Sequence, residues 1–114
     1  MADNCAFCGI VAGVIPSSTV FESERVLAFR DLHPAAPTHV LVIPKAHHRD
    51  LAALAAVDPA YVGEVFAAAA TVAEQEGLTG GHRILTNTGR DSGQTVFHLH
   101  VHVLGGRNLD ALAG

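Results

Sequence analysis

From His98 to Val103 the chain alternates strictly between imidazole and aliphatic side chains, reading His98-Leu99-His100-Val101-His102-Val103, with Leu104 after it. A period of two belongs to a β-strand and does not fit the 3.6-residue turn of a helix. The pattern commits this segment to a strand with three imidazoles on one face and Leu99, Val101 and Val103 on the other, toward a core. Successive rings on such a strand stand about 6.5–7 Å apart. Three imidazoles are costly to bury without partners. The row then has three readings: a solvated face, a three-histidine metal site as in zinc hydrolases, or a catalytic row. In the last, one ring attacks while its neighbours orient it and move protons.

The rest of the chain must supply a sheet for that strand. Its 114 residues suit a single domain, 1–114, with one core. Hydrophobic residues make up 49% and charged residues 16%, which excludes a disordered chain. Residues 19–21 and 26–29 are β-prone and separated by a polar turn, as in a hairpin; 39–43, 83–86 and 96–104 are the other expected strands. One long helix is expected over 58–76. Asp58 can cap it, Pro59 suits its first turn and Gly77 its stop. Val62, Val65, Phe66, Ala69, Val72 and Ala73 form its apolar stripe, and the alanines at 67–70 permit close approach to a sheet. A short helix is expected over 7–14, before Ile15-Pro16. The sum is an α+β domain: a five-stranded, mainly antiparallel sheet, one long helix and a short N-terminal helix.

Composition also narrows the function. No apolar run approaches the ~18–20 residues of a membrane helix. Met1-Ala2-Asp3-Asn4 does not begin a secretory signal, so a cytoplasmic protein is expected. Seven basic against eleven acidic residues give a net charge of −4, and no basic surplus is available for neutralising nucleic-acid phosphates.

Ahead of the histidine row lies Asn87-Thr88-Gly89-Arg90-Asp91-Ser92-Gly93-Gln94-Thr95, rich in glycine and side-chain donors. Glycines let backbone N–H groups converge on an anion, which suits a phosphoryl group. Ordinary turns use the same residues. Cys5 and Cys8 form a Cys-x-x-Cys. In a cytoplasmic chain a structural disulfide is not expected. Half a metal site, a redox pair or no function remain, and no thioredoxin-like βαβ pattern surrounds the pair.

The histidine row resembles the His-φ-His-φ-His-φ-φ signature (φ apolar) of the histidine triad (HIT) superfamily. Residues 7–16, Phe29-Arg30-Asp31, 34–45, Asn87, Gly93-Gln94-Thr95 and Leu104-Gly105-Gly106 extend the likeness over nearly the whole chain. Gly105-Gly106 looks like the nucleotide-binding branch rather than the diadenosine-triphosphate hydrolase branch. With its Cys-x-x-Cys, the chain is similar to the zinc-containing bacterial members.

That resemblance implies a purine-nucleotide hydrolase acting at the α-phosphorus of nucleoside phosphoramidates or related nucleotides. His100 would be the nucleophile, forming a nucleotidyl-histidine that water cleaves. Neutral imidazole is nucleophilic near pH 7, its reference pKa being about 6.5. His102 would contact the phosphate and assist proton transfer. Asn87, Gly93, Gln94 and Thr95 would position phosphate oxygens or the leaving group. Asp31 would accept from the ribose hydroxyls, and Phe7, Ile10, Ile15, Phe29 and Leu32 would form the base pocket. Cys5, Cys8, His47 and His98 would make a structural Cys₂His₂ zinc site. His98 would then brace the strand that carries His100. His39 would lie near the active-site network, whereas His33, His48 and His82 have no assigned role. A homodimer is implied as well. Two other readings share the same residues: a nucleotide sensor with incidental turnover, and a zinc-dependent hydrolase with the triad as ligands. The tail, 107–114, has no Trp, in a family whose members can use the partner's C-terminus to select the leaving group.

Overall fold

The computed structural model describes residues 5–112. Its five strands are Thr19–Glu22 (β1), Val26–Arg30 (β2), Thr38–Pro44 (β3), His82–Thr86 (β4) and Val101–Gly105 (β5). They form one open sheet in the order β1-β2-β3-β5-β4, and every neighbouring pair is antiparallel. The helices are Ala6–Val11 (α1), Leu51–Val57 (α2) and Pro59–Gln75 (α3), with a short 3-10 turn at Arg90–Ser92. The expected α+β architecture is therefore present. The readings that fall on Met1 to Asn4 and on the last two positions lie outside the described residues. Among the described residues no helix is long and apolar enough to cross a membrane.

Helix α3 packs on one face of the sheet and α1 on part of the other, so the central strands carry apolar residues on both faces. Val26, Ala28, Val40, Val42, Val101 and Val103 face α3, where Val65, Ala68, Ala69, Val72 and Ala73 meet them. The small alanines let the helix lie close to the sheet. Leu27, Phe29, Leu41 and Ile43 point to the opposite face, against Phe7 of α1. Asp58 caps α3 by accepting from Tyr61 N–H, Pro59 occupies its first turn, and Gly77 ends it at φ +69°.

Two expectations need correction. The alanine-rich stretch before Asp58 is a helix of its own, α2, capped by Asp50, whose carboxylate accepts from Ala53 N–H at 2.9 Å. Asp58 closes α2 and opens α3. The last strand begins at Val101, not at 96, because the preceding backbone bonds elsewhere: Leu99 N–H goes to the His48 carbonyl at 2.6 Å. The alternation survives this break. Leu99 joins Val101 and Val103 in the α3-side core, while the imidazoles lie on the α1 side.

Candidate active site and metal cluster

Burial decides the charge of the histidine row. It pushes His98 and His102 down to about 4 from the usual 6.5, and it lowers His100 and His39 as well. Near pH 7 these rings are neutral, each with one N–H and one lone pair. A hydrogen bond at one nitrogen therefore assigns the other.

His98 donates from Nε2 to the Pro44 carbonyl at 2.8 Å, which leaves its lone pair on Nδ1. His100 donates from Nδ1 to the His98 carbonyl at 2.8 Å, which leaves its lone pair on Nε2. His39 takes the Ala35 N–H on Nδ1 at 3.0 Å, so its proton is on Nε2 and is given to His102 Nδ1 at 2.9 Å. His102 then carries its proton on Nε2, and that atom is buried with no hydrogen-bond partner. His100 and His102 have ring centroids 5.1 Å apart, closer than a flat strand would hold them. A nucleophilic nitrogen and an unsatisfied donor thus stand side by side.

Register explains the His39–His102 pair. His39 faces Leu104 and Leu41 faces His102 across β3 and β5, so the two histidines are diagonal neighbours on one face. Asp31, at the end of β2, brings Oδ2 to 3.4 Å from His39 Nε2 and accepts the His33 N–H at Oδ1.

His100 and His102 line a cavity of about 390 Å³. Phe7, Ile10, Ile15, Phe29 and Leu32 form its apolar side, and Asp31, Asn87, Gly93, Thr95, His100 and His102 its polar side. Gly89 and Gly93 take positive φ, +84° and +93°, which shapes the 87–95 loop at its mouth. Gln94 departs from expectation. Its side chain turns inward, accepting Gly89 N–H at 2.8 Å and donating to the carbonyls of Arg49 at 2.8 Å and Val96 at 3.2 Å. It is 4% exposed and does not line the cavity, so it braces the loop from behind.

His98 belongs to a different constellation. Its Nδ1 lies 3.3 Å from Cys5 Sγ, 3.5 Å from Cys8 Sγ and 3.2 Å from His47 Nδ1, with Cys8 Sγ 3.3 Å from His47 Nδ1. Bond lengths of ~2.3 Å to sulfur and ~2.0 Å to nitrogen put tetrahedral donors about 3.3–3.8 Å apart around Zn²⁺. The four separations above, 3.2–3.5 Å, lie close to that spacing, and all four donor atoms lie within 4.8 Å of one another, with the His98 lone-pair nitrogen among them. Cys5 also caps α1, its Sγ accepting Cys8 N–H at 3.2 Å, so the helix start presents both sulfurs.

Asp31, His39 and His102 also approach one another. They are poor metal ligands, because His39 Nδ1 is taken by Ala35 N–H and its Nε2 must then keep the proton. Nor do the triad histidines share a cage. Among the described residues the donor atoms that come within reach of one another group His98 with Cys5, Cys8 and His47, and His102 with Asp31 and His39, so no cluster contains all three triad rings. The sequence also left two contacts unread. Ala35 N–H reveals itself only once the loop is folded, and Thr86, whose hydroxyl donates to the His100 carbonyl at 2.7 Å, reads as an ordinary strand residue.

Known proteins share this arrangement of elements. The purine nucleoside phosphoramidase of Escherichia coli strain K12 is 42% identical over 110 residues, 96% of this chain and 92% of that protein. A 14 kDa zinc-binding protein of Zea mays is 45% identical over 107 residues, 91% of this chain and 83% of that one. The solved structure of a HIT family hydrolase from Clostridium thermocellum superposes with a TM-score of 0.93 at 42% identity, covering 98% of each chain. The HIT domain model itself matches residues 12–109, from the end of α1 through the turn after β5. The chain belongs to the HIT domain family.

Proposed function

We propose that the protein is a nucleotide hydrolase that cleaves at the α-phosphorus of purine nucleoside phosphoramidates or related nucleotides. The observation that carries this reading is the opposite protonation of two adjacent rings. His100 offers a lone pair from Nε2 and His102 an unpartnered N–H from Nε2, both beside one cavity.

In this reading His100 Nε2 attacks the phosphorus while its Nδ1–H stays on the His98 carbonyl, which holds the ring in line. A nucleotidyl-histidine forms as the bond to the leaving group breaks. His102 Nε2–H donates a hydrogen bond to the leaving group, and the proton that completes the leaving amine comes from solvent water. Water then cleaves the intermediate, frees the His100 ring and returns a proton to solvent. His39 keeps His102 oriented through the pair at 2.9 Å. Thr95, Asn87 and the Gly93 backbone hold phosphate oxygens, Asp31 takes the ribose hydroxyls, and the apolar side of the cavity takes the base. The name of the E. coli relative supports a purine and a phosphoramidate.

Cys5, Cys8, His47 and His98 fit Zn²⁺, which when bound supplies a cross-link rather than reaction chemistry. The zinc-binding name of the maize relative supports this assignment. The reading extends to a homodimer in the cytoplasm, with β4 at one edge of the sheet as a surface open to a second copy.

The decisive test is covalent trapping. Rapid quench of adenosine phosphoramidate with the protein is expected to give a mass increase of one adenylyl group on His100. His100→Ala is expected to lose at least 10³-fold in kcat while still binding AMP. Tight AMP binding with wild-type turnover below ~10⁻² s⁻¹ would instead make the protein a nucleotide sensor, since enzymes ordinarily turn over at 1–10³ s⁻¹.

A further inference from the structure

The N–H that His102 presents to the cavity depends on a chain of bonds that starts far from the chemistry. His102 Nε2 carries a proton because Nδ1 receives one from His39, and His39 donates there because Ala35 N–H occupies its other nitrogen. Ala35 lies in the 31–37 connection between β2 and β3 and is itself exposed. A loop peptide of this kind needs an anchor if its N–H is to stay aimed at a buried ring.

The anchor comes from the segment that leaves β5. Arg107 Nη2 donates to the Ala35 carbonyl at 3.1 Å. Its other terminal nitrogen, Nη1, donates to the Asn108 carbonyl at 2.7 Å, which fixes the guanidinium against its own backbone. One position earlier, Gly106 takes φ +94° and packs so tightly on the same loop that an added Cβ would stand 2.9 Å from Pro37 Cβ. The last β3–β5 pair, Thr38 with Gly105, brings these two segments together.

We propose that Arg107 is a positioning residue: by holding the Ala35 carbonyl it restrains the neighbouring peptide whose N–H fixes the tautomer of His39, and through His39 the proton that His102 presents to substrate. Without that hold, the loop can turn the Ala35 N–H away. His39 is then free to carry its proton on Nδ1, and with a lone pair on Nε2 it no longer donates to His102. Arg107 does not line the cavity, and its guanidinium bonds the carbonyls of Ala35 and Asn108. In its kinetic consequence this role rests on the hydrolase reading above; in the ring tautomer it does not.

The experiment uses the full chain as wild type, Arg107→Ala, Arg107→Lys and Gly106→Ala. It combines ¹⁵N spectra of the imidazole nitrogens with kcat and KM for adenosine phosphoramidate. Wild-type His39 is expected to carry its proton on Nε2. Arg107→Ala is expected to gain an Nδ1–H population at His39, with kcat about tenfold lower and KM within twofold. Arg107→Lys keeps one donor and should recover at least half of both signals. Gly106→Ala displaces the loop without removing the guanidinium and should give the same tautomer change, which covers the case of an Arg107→Ala chain that does not fold. Unaltered His39 tautomers in the folded variants would overturn the proposal. So would a loss of kcat with no change at the ring, or a lysine variant no better than alanine. A wild type without turnover would defeat the hydrolase reading and still leave the tautomer result to decide the role of Arg107.

Discussion

The hydroxyl of Thr86 donates to the carbonyl oxygen of His100 at 2.7 Å. Thr86 faces Val101 across β4 and β5, so it grips the chain one residue before the regular strand begins. The His100 ring is held from the other side by the His98 carbonyl. Thr86→Val keeps the shape and removes the donor, and leaving a buried carbonyl short of a partner costs about 1–3 kcal/mol. Steady-state kinetics should show kcat about tenfold lower with KM little altered, while Thr86→Ser stays near wild type. A valine variant with full kcat would mean that the bond does not position the nucleophile.

The four-donor cluster ties three separate segments together: α1, the turn after β3 and the stretch before β5. An ion there would stabilise the folded state by binding it in preference to the unfolded one. Metal analysis should find one zinc per chain in the wild type and almost none in Cys8→Ser. For a domain of this size ~1 kcal/mol moves Tm by roughly 4–8 °C. Chelation or Cys8→Ser should therefore lower Tm by more than about 10 °C. A wild type that neither holds zinc nor responds to chelators would remove the assignment.

Much of this was legible because the signals were local. The His98–Val103 alternation, the Asp58-Pro59 helix start and the Gly77 stop each follow from short-range geometry, and each is found where expected. Boundaries were less legible, because Leu99 N–H finds the His48 carbonyl, a partner 51 positions away in sequence, and the ladder starts late. The second helix was hidden by composition: 51–57 offers alanine and leucine but only Asp50 as a start signal. Protonation states were the least legible. They depend on which carbonyl or N–H meets each ring, and Pro44, Ala35 and His98 supply these from three different places.

Acid should destabilise the protein through His102. An unfolded histidine takes up a proton below about 6.5, whereas folded His102 does so only near 4, chiefly because of burial. Between those values the unfolded state binds more protons. Stability is thus complete above pH 6.5 and is lost as pH falls from there toward 4. Three groups face the ring: Asp31 favours its charged form, and His39 and His100 oppose it. His102→Gln lacks this titration, so its Tm should decline less steeply than the wild type between pH 6.5 and 4. Parallel Tm curves would show that the ring titrates near its ordinary value.

Gln94 distinguishes a bracing role from direct contact with phosphate. Its carbonyl accepts from Gly89, and its amide hydrogens go to the carbonyls of Arg49 and Val96, all from a buried position. Gln94→Ala strands those groups, and each unsatisfied one costs about 1–3 kcal/mol unless water reaches it. Gln94→Glu keeps the size but turns a carboxylate toward two carbonyl oxygens, so it should destabilise more than alanine does. Thermal melts should rank wild type above Gln94→Ala above Gln94→Glu. KM for adenosine phosphoramidate should rise in both variants as the 87–95 loop loosens at the mouth of the cavity. A residue that touched phosphate directly would give a different pattern: alanine and glutamate variants as stable as wild type, with the loss confined to kinetics and greatest for the anionic side chain.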